Sequence, residues 1–418
     1  MRAAGVSETM TEQRRARFRD LLADPAYRQL FLAQTASRAG DAFRTVAMAI
    51  VVFQLTGSGL GTAGVVVAEI LPVLLLAPIA GELVDRLPRR RVMIAADVWR
   101  AGLLALLPLI DTQVVAVYAV AFGLSVGSVF FNPASGSLVP TLVTERQLVA
   151  ANSGLWTAAV LAQIVLAPLA GGIVATVGAT PAFVLNAATY AVSALLLLRL
   201  QVPGRPASTA VAGSWAARVG AGLSLLATDR LLRVLALGQL LAALSAGATS
   251  ALLIVLAERH LGVGAQGFGL LIGAIGIGAV AGPFMLTRLT DDPRRPVFVF
   301  GPYLLRGVVD VVVASLSALP VALAAMAAYG LGTSTGAVTF SSLLQASTPE
   351  ALRGRVFAGM DLLWQSGRLV SLIGGGLLAD VFGIRAVYYL GGMLLMLAGI
   401  VGFTGLRHLR PPESAAAR

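Results

Sequence analysis

Residues 37–44 read SRAGDAFR, three charges set between the largely apolar flanks QLFLAQTA and TVAMAIVVF. Arg38, Asp41 and Arg44 are spaced i, i+3 and i+6, so on a helix they lie along one face. In a helix that runs from Arg28 to Gln54, Asp41 sits about 20 Å deep at about 1.5 Å per residue, close to a bilayer midplane. A lone charge there costs several kcal/mol against lipid, so the face is expected to look into protein or a wet cavity, with the acid paired. The proton affinity of such a carboxyl group is set by burial against the pull of nearby arginines. A group whose affinity changes between two conformations couples protons to that change. Asp41 is the candidate for this chemistry, with Arg38 and Arg44 as charge partners; a permanent ion pair that only orders the segment is the structural alternative.

Other intramembrane charges are few. Glu69, in VVVAEILPVLL, is the second acid at midplane depth and has no close charged neighbour in sequence. It is expected to be protonated or paired across helices, and it shares the proton-coupling candidacy. Asp97 and Arg100, in AADVWRAG, read as a surface-anchoring ion pair near one end of their segment. Arg306 and Asp310 are i and i+4 and read as a structural pair within one helix. Asp361 and Arg368 share a face, and Arg368 is placed to meet an acid from another segment.

These residues need a scaffold, and composition says which solvent it faces. Of the 418 residues, 57% are hydrophobic and only 12% charged, against about 25% charged in a soluble domain. Cutting at polar, Pro and Gly punctuation leaves twelve apolar segments, near 28–54, 60–84, 91–110, 113–132, 147–177, 181–200, 231–257, 266–288, 297–316, 319–345, 353–382 and 385–405. Each is near the length of about 20 residues that a crossing needs. All 31 basic residues are arginine, and those between segments gather in alternate connectors, such as RLPRRR after the second segment, DDPRR after the eighth and LRGR after the tenth, with Arg259 and Arg385 the main exceptions. By the positive-inside rule, both termini and the 201–230 connector face the cytoplasm. The net charge of +11 therefore reads as topology rather than as nucleic-acid binding. Lysine-free, Ala/Arg/Gly-rich usage fits a GC-rich bacterial genome, and a multi-pass plasma-membrane location is expected.

The chain repeats itself. An offset of 205 residues aligns Asp24 with Asp229, Arg28 with Arg233, Gln34 with Gln239, Gly64 with Gly269, Pro78 with Pro283, and Gly178 with Gly383. Six segments per copy is an even number, so the copies enter from the same side and form a parallel repeat. The expected layout is a tail over 1–27, a six-helix half over 28–200, a linker over 201–230, a second half over 231–405 and a tail over 406–418. A parallel duplication of this kind argues for a transporter with its site between halves.

GELVDRLPRRRV, Gly81 to Val92, resembles the G-x-L-x-D-R-x-G-R-R signature of the major facilitator superfamily, with Pro88 where glycine is usual. In that superfamily the element latches the halves, so Gly81, Asp85, Arg86, Arg89 and Arg90 are implied to form a conformational latch that Asp361 completes from the eleventh segment. APLAGG, Ala167 to Gly172, resembles the G-P-x-x-G-G motif of exporters, with Ala167 replacing the first glycine. Pro168, Gly171 and Gly172 are thereby implied to serve antiport, packing the halves closely. LFLAQTASRAGDAFRTVAMAIVVFQLTGS, FFNPASGSLVPTLVTERQLVAANS and VLNAATYAVSALLLL are similar to the branch holding macrolide-efflux and enterobactin-exporter types. The resemblance implies an all-α membrane protein of twelve transmembrane helices in two parallel six-helix repeats. It also implies a cavity lined by segments 1, 4, 7 and 10, with Tyr118, Phe122, Asn132, Gln239, Thr249, Tyr329 and Phe340 as substrate-facing candidates. Many proton-driven members carry an arginine in the middle of segment 4; here that segment is uncharged, which leaves coupling to segments 1 and 2.

The expected activity is proton-coupled export of a small amphipathic compound by alternating access. An importer or symporter, and a non-transporting membrane scaffold or sensor, are the alternatives. Expected partners are the small-molecule substrate, protons and the lipid bilayer, with no nucleic acid, in a monomer. No enzyme activity and no cofactor are expected: the chain has no cysteine, two histidines and, without lysine, no P-loop for ATP.

Overall fold

The computed structural model describes residues 18–201, 220, 224–290 and 292–406. The expected tails over 1–27 and 406–418 and the linker over 201–230 fall largely outside the described residues. Helix α1 (Phe18–Ala23) leads into α2 (Pro25–Thr56), α3 (Gly59–Arg86), α4 (Arg89–Leu106), α5 (Val114–Leu142), α6 (Glu145–Val177) and α7 (Thr180–Arg199). Then follow α8 (Arg230–Ala251), the short α9 (Leu253–Arg259), α10 (Gly264–Leu289), α11 (Pro296–Ser315), α12 (Leu319–Ala346), α13 (Glu350–Phe382) and α14 (Ile384–Leu406). No strand occurs among the described residues. Eleven of these helices are long and apolar enough to cross a membrane. The 33-residue α13 is long enough, but it carries Arg353, Arg355, Asp361, Arg368 and Asp380. The seventh apolar segment is interrupted at Leu252, between α8 and α9.

Positions 205 residues apart share local devices. Asp24 accepts from the backbone N–H groups of Ala26 and Tyr27 at 2.8 and 2.9 Å, and Asp229 accepts from that of Leu232 at 2.8 Å. Each caps a helix whose first free amides need an acceptor. Gly178 and Gly383 end α6 and α13 with φ of 86° and 83°, a region that disfavours side chains. The packing partners recur as well. Helix α2 packs on α6 and α7, α3 on α5, and α4 on α5 and α7. In the same order, α8 packs on α13 and α14, α10 on α12, and α11 on α12 and α14. Large side chains such as Leu75, Val115, Phe284 and Val381 point outward, the arrangement of a chain whose solvent is hydrocarbon.

The two helix groups, α2–α7 and α8–α14, meet mainly along α6 with α10 and α3 with α13. Small residues allow the first contact. A Cβ on Gly171 would stand 2.5 Å from the Ala265 carbonyl oxygen, one on Gly269 2.5 Å from that of Ala167, and one on Gly273 2.8 Å from Pro168 Cγ. Two residues of the APLAGG run, Pro168 and Gly171, thus lie in the seam, whereas Gly172 faces open space. The second contact is polar. Asp380, near the end of α13, accepts from Ser58 Oγ at 2.6 Å and from the backbone N–H groups of Gly59 and Leu60 at 2.6 and 3.1 Å. An acid of one group therefore caps the first turn of α3 in the other, where the helix dipole favours negative charge. Arg259 reinforces it, 3.9 Å from Asp380 and donating to the Gly57 carbonyl. Both seams lie toward the end of the bundle opposite the start of α2.

The adjacent glycines make a paired test. Gly171→Ala should cost about 1–3 kcal/mol by overpacking the seam, whereas Gly172→Ala should be neutral or slightly stabilising. Thermal unfolding of the purified variants separates the two; equal losses would contradict the seam.

Candidate functional site

Arg44 organises the first group. Its guanidinium donates to Glu69 of α3 through Nη1, and its Nε stands 3.7 Å from Asp41, one turn back on α2. The Arg44 side chain is 16% exposed, and those of Asp41 and Glu69 are 30% and 32%, so the acids are half-buried beside a nearly buried cation. Asp41 has a second partner: the Tyr190 hydroxyl of α7 donates to it at 2.5 Å. The Tyr190 ring in turn lies against Arg100 of α4, 4.3 Å from the guanidinium carbon, with Phe131 of α5 on its other side at 4.5 Å. Arg100 pairs with Asp97, which accepts from Ser193 at 2.6 Å. Two ion pairs are thus joined through one tyrosine. A buried cation is tolerable here because aromatic faces and a carboxylate surround it.

The Arg44–Glu69 pair lines a cavity of about 300 Å³ between the two groups. Thr45, Met48, Thr62, Val65 and Gln163 join it on the same wall. The other wall is formed by Thr249 and Ser250 of α8, Phe268 and Ile272 of α10, Asp310 of α11, Met326 and Tyr329 of α12, and Tyr388 of α14. A smaller cavity of about 140 Å³ beside it holds Arg38, Asp41 and Gln163. A third, of about 350 Å³ within the second group, is lined by Gln239, Tyr303, Arg306, Phe340, Asp361 and Trp364, among others. Among the described residues no cluster of His, Asp and Glu has metal-binding geometry. A largely apolar chamber with a few charges suits binding of an organic molecule more than bond-making chemistry.

The sequence profile of transmembrane secretion effector proteins matches residues 20–417. The chain belongs to the transmembrane secretion effector family. Like the rest of the major facilitator superfamily, this is a family of multi-pass membrane transporters, not of enzymes. Similar proteins include the multidrug efflux pump Tap of Mycolicibacterium fortuitum, 30% identical over 388 residues, 89% of this chain and 93% of that one. Tap of Mycobacterium tuberculosis is 28% identical over 404 residues, 93% of each chain. The fold matches the crystal structure of a bacterial homologue of the iron transporter ferroportin in an inward-facing state, with a TM-score of 0.73, 18% identity, and coverage of 91% of this chain and 98% of that one. It also matches the nucleoside transporter NupG, with a TM-score of 0.71, 14% identity, and coverage of 92% and 99%.

Several expectations need correction in this family member. Arg38 is exposed and forms no ion pair with Asp41; Arg44 alone serves that acid. Arg368 hydrogen-bonds only to Gln365 of its own helix, at 3.4 Å, and forms no ion pair among the described residues, but it feels the charge of Glu69 from α3, an acid of another segment, as well as that of Asp361. Asp97 and Arg100 are not at a surface: they are 0% and 3% exposed, enclosed by α5 and α7. Arg306 does not pair with Asp310, because the Tyr329 hydroxyl takes its Nη2 donor at 2.9 Å. In the superfamily signature the described side chains bind within their own group. Arg86 pairs with Glu82, Arg89 donates to the Ser137 carbonyl, and Arg90 donates to those of Leu197 and Leu198. Gly81 has open space where a Cβ would stand, so no helix crowds it in this conformation. The side chain of Asp85 lies outside the described residues, and Asp361 faces the cavity of the second group. Among the substrate-facing candidates, Thr249 and Tyr329 line the central cavity, and Gln239 and Phe340 line the cavity of the second group. Asn132 lies in a groove with Gly81, and Phe122 is partly exposed. Tyr118 donates to the Gly61 carbonyl at 2.6 Å and packs α5 on α3 instead.

Tyr190 and Asp380 had no signal in spacing or charge pairing, since their hydrogen-bond partners Asp41 and Ser58, Gly59 and Leu60 lie 149 and 320 or more positions away. Buried or half-buried ion pairs depend strongly on both members. Arg44→Met and Glu69→Gln should each destabilise, and the double variant should lose less than their sum, by about 1–2 kcal/mol. A double-mutant cycle in thermal unfolding reads this coupling; strict additivity would mean that the contact carries no energy.

Proposed function

We propose that this transporter is a proton-coupled antiporter that exports a small amphipathic compound. Its two parallel six-helix halves, α2–α7 and α8–α14, would rock about the cavity between them. The recurring caps and packing partners support the duplication. The observation that carries the reading is the Arg44–Glu69 pair on a wall of that cavity, with Asp41 beside it in the smaller one, at the depth where charge is most expensive. Charges persist there when they serve a cargo or ion path, and this cluster faces the chamber rather than a sealed core. Aromatic and hydroxyl side chains opposite it suit a bulky ligand held by many weak contacts. The Tap relatives, named as multidrug efflux pumps, favour outward movement of drug-like molecules.

In this reading both termini face the cytoplasm, the seams at Gly171 and Asp380 close the outer side, and the cavity is reached from within. Rocking alters which side of the Arg44 cluster meets water, and so changes the proton affinity of Asp41 and Glu69 between states. One proton moving through about 150 mV supplies roughly 3.5 kcal/mol. That sustains a several-hundredfold gradient, at about 1.4 kcal/mol per decade.

Accumulation of a panel of fluorescent and antibiotic compounds in cells lacking or expressing the gene tests direction. Expression should lower accumulation of at least one compound, an ionophore that collapses the proton gradient should restore it, and Asp41→Asn should abolish the difference. Raised accumulation would favour import instead. Conformational bias has its own test, helped by the absence of native cysteine. Asp380→Ala removes a helix cap worth about 0.5–2 kcal/mol, a shift of about 2- to 30-fold between the two conformations. A single cysteine at Thr62, on the cavity wall, should then label faster with an impermeant thiol reagent added outside; an unchanged rate would show that the cap does not hold that side shut.

A further inference from the structure

Asp310 is fully buried and neither of its carboxyl oxygens has a hydrogen-bond partner, a combination no other carboxyl group shows among the described residues. It nonetheless lines the central cavity, on the wall facing Arg44 and Glu69. The surrounding groups explain why it stays unpaired. On its own helix, Arg306 is turned away: it donates to the Tyr329 hydroxyl of α12, its guanidinium carbon sits 4.7 Å from that ring's centroid, and its Nε has no partner. On α14, the Tyr388 hydroxyl is committed to the Thr249 carbonyl at 2.6 Å, and Arg385 donates to Ala314 and Tyr389. On α8, Ser245 Oγ is itself buried without a partner. A Cβ on Gly391 would lie 3.1 Å from Ser245 Oγ and 3.5 Å from Asp310 Oδ2, so a glycine leaves the space that both groups border.

An ionised carboxylate in this position would have only the nearby Ser245 hydroxyl and the field of Arg306, which is held by Tyr329, to offset its burial, with no ion pair formed, at a cost of several kcal/mol. A neutral carboxylic acid escapes most of that cost. The acids of the first helix group offer a contrast. Asp41 and Glu69 share the Arg44 guanidinium, and Asp41 also receives the Tyr190 hydroxyl, so both have the cation contact that Asp310 lacks. We propose that Asp310 is a proton-binding site of the second helix group, loaded with a proton in this conformation. The proton leaves when the cavity admits water or a positively charged part of the cargo, or when Arg306 lets go of Tyr329 and turns one helical turn to meet the new carboxylate. No bond other than the O–H is made or broken. The role in transport rests on the antiport reading above; the protonation does not.

Infrared spectroscopy of the purified protein at neutral pH reads the protonation directly. A C=O stretching band of a neutral carboxyl group is expected in the wild type, in Asp41→Asn and in Glu69→Gln. It should be lost in Asp310→Asn, and Asp310→Glu should restore it at a shifted position. A wild type without the band, or a band that survives in Asp310→Asn, overturns the proposal. In proteoliposomes, a gradient of about one pH unit sustains about tenfold accumulation of a cargo exchanged for one proton. With ethidium as the probe, that accumulation should appear in the wild type and vanish in Asp310→Asn. An Asp310→Asn variant that accumulates ethidium as the wild type does overturns the proposed site. A wild type that shows no gradient-driven accumulation of ethidium instead counts against proton exchange, and the infrared band still decides whether Asp310 holds its proton.

Discussion

Charge at membrane depth tolerates no loose ends, and in the first helix group one arginine ties most of them. Arg44 serves Asp41 on its own helix and Glu69 on the next, so a single cation balances two acids drawn from two elements. The remaining demand of Asp41 is met by a tyrosine hydroxyl, whose ring also shields a second arginine. Helices α2, α3, α4, α5 and α7 are thereby linked through polar side chains in the middle of an apolar bundle. Displacing any of them breaks a contact that offsets a charge at membrane depth. Such a network favours a group that moves as one body.

The second group is built differently. Its charges are fewer and are not closed into a network: Arg306 leans on a phenol, and Asp310 has no partner. Its rigidity comes from close backbone approach. A Cβ on Gly278 would collide with the Ala327 carbonyl, and one on Gly330 with that of Ile275, so α10 and α12 cross almost backbone to backbone. The two helix groups thus hold together by different means, ionic in one and steric in the other. That difference places the adaptable electrostatics beside the cavity on both sides but fixes only one of them.

What the sequence disclosed followed the range of each signal. Helices were legible because an apolar run of about twenty residues has few other uses, and one offset in the sequence, from Asp24 to Gly178, pointed to pairs of positions whose helix caps and packing partners recur. The Arg44–Asp41 contact was legible because residues three apart share a helix face. Glu69 was legible as an acid needing a partner, but the partner lay across a helix boundary that spacing does not encode. Asp97 and Arg100 were misplaced at a surface because depth along α4 says nothing of what α5 and α7 bring against it. The Arg306–Asp310 spacing permitted a pair, yet Tyr329 of α12 competed for the same donor and won. The signature loop was recognisable by residue order, while its present contacts depend on which end of the bundle is closed.

The acid that caps α3 from across the seam has a consequence for how this contact persists. Two of its donors are main-chain amides, which any residue other than proline supplies. Position 59 is tighter still, since a Cβ there would stand 2.8 Å from that of Ala379. The side-chain partners, Ser58 and Arg259, are freer to drift. Any trace of this closure in patterns of co-variation should therefore fall on positions 58, 259 and 380.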